Sequence, residues 1–143
     1  MMMSIRRRAT ETGLAMVLLV LAACAPSPPA EPVKIVAIDL THEIDQHNEA
    51  RSARETFAPT STIYASIATE GTGNATLAAK WTDPEGKVLA DQNQTINPTK
   101  AQRFEFHVAP PEGGHPVGRY KVVVTLNGGS TRTREYEIRT TTH

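Results

Sequence analysis

The chain has 143 residues and a mass of 15.5 kDa, enough for one ordinary domain with an appendage. Fifteen Lys and Arg balance fifteen Asp and Glu, which leaves no electrostatic footprint for DNA or RNA. One cysteine excludes an internal disulfide framework and a cysteine-based zinc site, and three Phe, three Tyr and one Trp leave the core mostly aliphatic.

Residues 1–23 carry Arg6-Arg7-Arg8 and then an apolar run from Leu14 to Ala23 that ends in Ala22-Ala23. A basic region, a short apolar region and small residues before a cleavage point define an export signal. The apolar run is about half the length needed to span a bilayer, so the segment reads as a targeting signal and not a lasting anchor. Past it, twelve Lys and Arg face fourteen Asp and Glu, a net charge of −2.

The signal ends Leu21-Ala22-Ala23-Cys24, which resembles the lipobox of bacterial lipoproteins. The resemblance implies that Cys24 becomes the first mature residue and carries lipid. Two or three acyl chains hold a membrane stably where one does so only marginally. Ala25 stands where Gram-negative inner-membrane lipoproteins tend to have aspartate. That implies sorting to the outer membrane, with the domain facing the periplasm.

Residues 24–32 form a tether. Ala25-Pro-Ser-Pro-Pro-Ala-Glu-Pro32 has four prolines in eight residues, which exclude helix and favour an extended spacer of roughly 25 Å. Residues 33–139 read as one all-β domain, and Thr140–His143 as a frayed tail. Val33–Leu40 is rich in β-branched residues. Thr62–Thr69, Ala75–Thr82, Arg103–Val108 and Gly118–Leu126 alternate with period two, placing Ile63, Leu77, Trp81, Phe104, Phe106, Tyr120 and Val122 inward. A shorter strand, Lys87–Ala90, follows the Asp83-Pro-Glu-Gly86 turn. Asn127-Gly128-Gly129 is a hairpin signal, and Thr131–Arg139 returns from it as a charged strand expected to guard a sheet edge. Between the first two strands, Glu43–Glu55 lacks an apolar face. It fits one helical turn or, preferred, a hairpin turning at Asp45–Asn48 and returning along Arg51–Phe57. About seven to eight strands with a turn every eight to twelve residues predict an antiparallel β-sandwich.

Leu77-Ala-Ala-Lys-Trp81 and Gly113-Gly-His-Pro-Val-Gly-Arg-Tyr-Lys-Val-Val-Val-Thr-Leu-Asn-Gly128 resemble immunoglobulin-like and fibronectin-III-like domains of bacterial envelope lipoproteins, over residues 57–138. His115 stands where those modules often have tryptophan. The resemblance implies that Trp81 fills the space between the sheets and that Tyr120 makes a tyrosine corner. It brings no catalytic residue.

The chemistry-bearing groups are few. His42, Glu43, Asp45 and His47 are the most metal-like cluster, since imidazole and carboxylate suit zinc or copper. The two histidines are five apart, unlike a helical zinc-protease motif, and a solvated polar turn is the simpler reading. No serine has nucleophile-elbow neighbours. These features point to a non-catalytic module without a cofactor, held to the membrane by its lipid and binding another envelope protein. The alternative is a metal- or small-ligand-binding lipoprotein using His42–His47. The irregular stretch Ala109–Pro116, with His115 and Pro116, is the candidate partner loop, or else a rigid crossover between strands.

Overall fold

The computed structural model describes residues 30–141. The signal segment, Cys24 and most of the tether lie outside that range. Within it the chain is all-β, with eight strands: β1 Lys34–Thr41, β2 Thr56–Phe57, β3 Ile63–Glu70, β4 Ala75–Thr82, β5 Val88–Ile96, β6 Gln102–Val108, β7 Gly118–Leu126 and β8 Ser130–Ile138. They form a three-stranded sheet, β1-β3-β6, packed on a five-stranded sheet, β2-β8-β7-β4-β5. This is an immunoglobulin-like β-sandwich, antiparallel except for the short β2–β8 pair.

The inner faces follow the alternation in the sequence. Ile63, Ala65 and Ile67 from β3 meet Leu77, Ala79 and Trp81 from β4 and Val122 and Val124 from β7, all fully buried. β1 is the strand whose apolar residues share no single phase, and the ladder explains why. Its register with β3 shifts between Ile35 and Ala37. The extra residue, Val36, turns both Ile35 and Ile38 inward.

Two elements depart from the sequence reading. Glu43–Glu55 does turn as a tight hairpin, with a bridge from Ile44 to Ala50 and Asn48 at φ 61°. The chain does not return along β1, however. It crosses to the other sheet, where Thr56 and Phe57 pair in parallel with Glu137 and Ile138 of β8. β8 is therefore covered at that end, while Ser130–Glu135 stay at the sheet edge, as its charged pattern predicts. β5 is also longer than Lys87–Ala90, reaching Ile96. Its polar run Asp91-Gln-Asn-Gln94 has no strand signature, and its pairing is imposed by β4, residue against residue from Ala90↔Trp81 to Ile96↔Ala75.

The sandwich has two distinct ends. Pro32, Glu70, Ala75, Ile96 and the 127–129 turn lie at the end where the chain enters, and the Glu31 carbonyl accepts the Thr72 N–H there at 2.9 Å. Thr41, Thr82, Val88, Val108 and Gly118 lie at the opposite end. Strands of eight or nine residues separate the two ends by roughly 25–30 Å.

Candidate functional site

The end opposite the chain entry holds a concavity of about 510 Å³, within the range of small-ligand and peptide pockets. One wall is the β4–β5 turn. Asp83 builds that turn with its own carboxylate, whose Oδ1 accepts the Glu85 and Lys87 N–H groups at 2.9 and 2.8 Å. Pro84 then closes onto β7, and Gly118 permits the approach. At φ 147°, a Cβ on Gly118 would sit 2.6 Å from Pro84 Cγ.

The other wall is the 109–117 crossover. It is pinned at its centre by His115, which is 3% exposed. The His115 N–H donates to the Pro59 carbonyl at 2.8 Å, and ring Nε2 lies 3.1 Å from the Ser61 carbonyl. That contact calls for a proton on Nε2. Burial lowers the His115 pKa below its ordinary value, and the Ser61 carbonyl opposes this in part. Gly114, at φ 86°, lets the backbone lie against Pro59.

The floor is aromatic. The Tyr120 hydroxyl donates to the Pro116 carbonyl at 2.6 Å, a tyrosine-corner bond four residues back along the chain. Burial, and then the charge of Asp83, push its phenol pKa up, so the hydroxyl remains a donor. His115 meets Tyr120 edge-on at 6.2 Å, and Tyr120 stacks on Tyr136 at 5.3 Å. Tyr136 in turn touches Trp81 and Phe57 edge-on. Leu89, Pro111 and Val117 supply apolar lining, while Asp83, Glu85 and Lys87 are the charged residues. The site offers shape and apolar surface.

The sequence placed His115 and Pro116 in a partner loop. The structure puts the His115 side chain inside, as a staple, and Pro116 in the wall. The surface such a partner would meet is made by Val117, 59% exposed, and by Leu89, 40% exposed, from a strand distant in sequence.

The His42–His47 cluster does not converge. Glu43 faces Arg51 at 3.6 Å, Gln46 takes His47 Nε2, and Asp45 accepts the N–H groups of His47 and Glu49, which hold its carboxyl below the ordinary value. Among the described residues, no three His, Cys, Asp or Glu side chains gather as a metal site. One polar cluster escaped sequence reading. Arg103 Nη1 lies 2.9 Å from both Asp39 Oδ2 and Ser66 Oγ, and Ser66 donates to the Asn48 carbonyl. This network fastens the 42–55 excursion to the outer face of the three-stranded sheet.

No protein-family model and no curated protein matches the sequence. Among solved structures, a β-glucosidase from Erythrobacter marinus superposes with a TM-score of 0.52 at 9% identity, the match covering 76% of this chain and 15% of that one. A β-glucosidase from Listeria innocua gives 0.47 at 8% identity, covering 77% and 16%. The CARDB domain of a Pyrococcus furiosus protein, in complex with di-metal ions, gives 0.44 at 7% identity, covering 72% and 88%. This chain thus spans about 15% of the length of the first of these enzymes. That likeness is one of fold alone.

Proposed function

We propose that this chain is a lipid-anchored module of the cell envelope, without catalytic activity, that presents one end of its sandwich to a protein partner. The lipid sits on Cys24, and the location is the outer membrane facing the periplasm. The observation that carries this reading is the placement of the apolar concavity. It lies at the far end of the domain from the point where the Pro-rich tether enters, roughly 25–30 Å away. An anchored domain meets its partners with the end that points away from the lipid, and the tether adds reach. Exposed apolar side chains rimmed by charge at that end suit protein contact.

The test has two parts. Mass spectrometry of the protein purified from membranes is expected to find diacylglycerol on Cys24, and Cys24→Ser is expected to release the chain from the membrane. A photoreactive residue at Val117 is expected to crosslink a protein in intact cells, while one at Gly128, at the tether end, is not. An unmodified Cys24 overturns the anchor. Equal crosslinking from Val117 and Gly128 overturns the assignment of the far end.

A further inference from the structure

Two of the sheet edges, β1 and β6, are closed by this chain's own groups. Along β1, Arg132 Nη1 reaches the Val36 carbonyl at 3.1 Å, Arg134 Nε the Ile38 carbonyl at 2.8 Å, and the Arg54 N–H the Leu40 carbonyl at 2.8 Å. Along β6, Asn48 Nδ2 donates to the Arg103 carbonyl at 3.2 Å and Gln92 Nε2 to that of His107 at 2.9 Å. β8 is covered by β2 only at Glu137 and Ile138, and the rest of its outer edge carries Arg132, Arg134 and Glu135. Protein sheets blunt their edges in such ways because an open row of N–H and C=O groups recruits another strand.

β5 has neither protection. Its inner side pairs with β4, and Gln92 accepts the Trp81 indole N–H at 2.9 Å. Among the described residues, nothing pairs with its outer backbone groups. From Ala90 to Ile96 it has no proline, no lysine or arginine, and no register shift. At its start the ladder does shift, and Leu89 is the extra residue, standing in the concavity. Three of the four exposed large hydrophobic residues, Val88, Leu89 and Val117, cluster at this end.

We propose that the open edge of β5 and the concavity form one continuous docking site for an extended segment of a partner protein. The segment adds to β5 by backbone hydrogen bonds along Ala90–Ile96, and its apolar side chains enter between Leu89, Pro84 and Val117. Two carboxylates, Asp83 and Glu85, stand there against one ammonium, Lys87, so the segment is not acidic. This rests on the proposed role of the far end. The same anchored geometry disfavours a second copy as occupant. Antiparallel pairing of two β5 edges points the two chain entries in opposite directions. Each tether, roughly 25 Å long, is too short to bring both lipids back to one membrane past a domain of similar height.

The experiment uses the full chain in its membrane, with a photoreactive residue at Asn93 on β5 or at Val117. The crosslinked complex is then purified for hydrogen exchange. Both positions are expected to map to one segment of one protein, with Ala90–Ile96 amide exchange slowed at least tenfold. Asn93→Lys faces Ala78 across the ladder and is expected to keep the melting temperature while cutting the Val117 crosslink yield at least tenfold. Thr95→Lys serves if Asn93→Lys alters folding. A Val117 crosslink with unprotected β5 amides, or one indifferent to both lysine variants, overturns the edge and leaves the far-end reading standing. An Asn93 crosslink to another copy of this chain overturns the choice of occupant. Silence at both positions overturns edge and far end together.

Discussion

Arg134 Nε donates to the Ile38 carbonyl at 2.8 Å, joining the five-stranded sheet to the edge of the other across 96 residues of sequence. Arg132 does the same to Val36, the bulge residue of β1. These two side chains take the place of a neighbouring strand. Arg134→Ala is expected to cost about 1 kcal/mol, since a charge-assisted bond is partly discounted by its exposure. Adding Arg132→Ala is expected to promote association through the uncovered β1 edge. Urea denaturation and light scattering measure both effects. A double variant of wild-type stability that stays monomeric would reduce these arginines to surface decoration.

Trp81 is fully buried, and its indole N–H depends on Gln92, whose amide also holds the His107 carbonyl. Trp81→Ala is expected to cost about 3–5 kcal/mol through the cavity it leaves. Gln92→Leu is expected to cost about 1–3 kcal/mol, because it strands the buried indole N–H. Chemical denaturation followed by tryptophan fluorescence reads the second variant. A loss below about 1 kcal/mol for Trp81→Ala would place that side chain outside the core.

Acid should loosen the far end first. Burial lowers the His115 pKa in the folded state, so below the ordinary value near 6.5 the unfolded chain binds the proton more readily. The stabilisation is complete above pH 6.5 and declines as pH falls toward the folded pKa, by at most about 1.4 kcal/mol per pH unit. Melting temperatures taken between about pH 7.5 and 5 should show this decline. His115→Gln, which keeps a donor for the Ser61 carbonyl, should flatten the curve. An equally steep curve in that variant assigns the effect to other groups.

The Tyr136 hydroxyl is buried and has no hydrogen-bond partner among the described residues. Burial, and then its neighbour Tyr120, push the phenol pKa far above its ordinary value, so it stays neutral. Tyr136→Phe removes a desolvated group while keeping the ring stacked on Tyr120, and is expected to be neutral or to stabilise by up to about 1 kcal/mol. A loss larger than that, measured by thermal melting, means the hydroxyl has a partner in solution.

The sequence by itself determined which residues face inward. Alternation in β3, β4, β6 and β7 names the core because a pleated strand sends successive side chains to opposite faces, and only one face of each sheet meets the other sheet. The turns at Asp83–Gly86 and Asn127–Gly129 were legible for the same local reason. The tertiary structure alone decided what happens at the edges and ends. The polar run Asp91–Thr95 became a strand because β4 offered it a backbone partner. Thr56–Phe57 left β1 for β8, and arginines distant in sequence closed β1. His115 turned inward because Pro59 and Ser61 present carbonyls to it, and Leu89 came to line the same concavity as Val117. None of these contacts has a period or a spacing. Each joins segments whose proximity is set by how the two sheets stack, and a one-dimensional pattern holds no record of that.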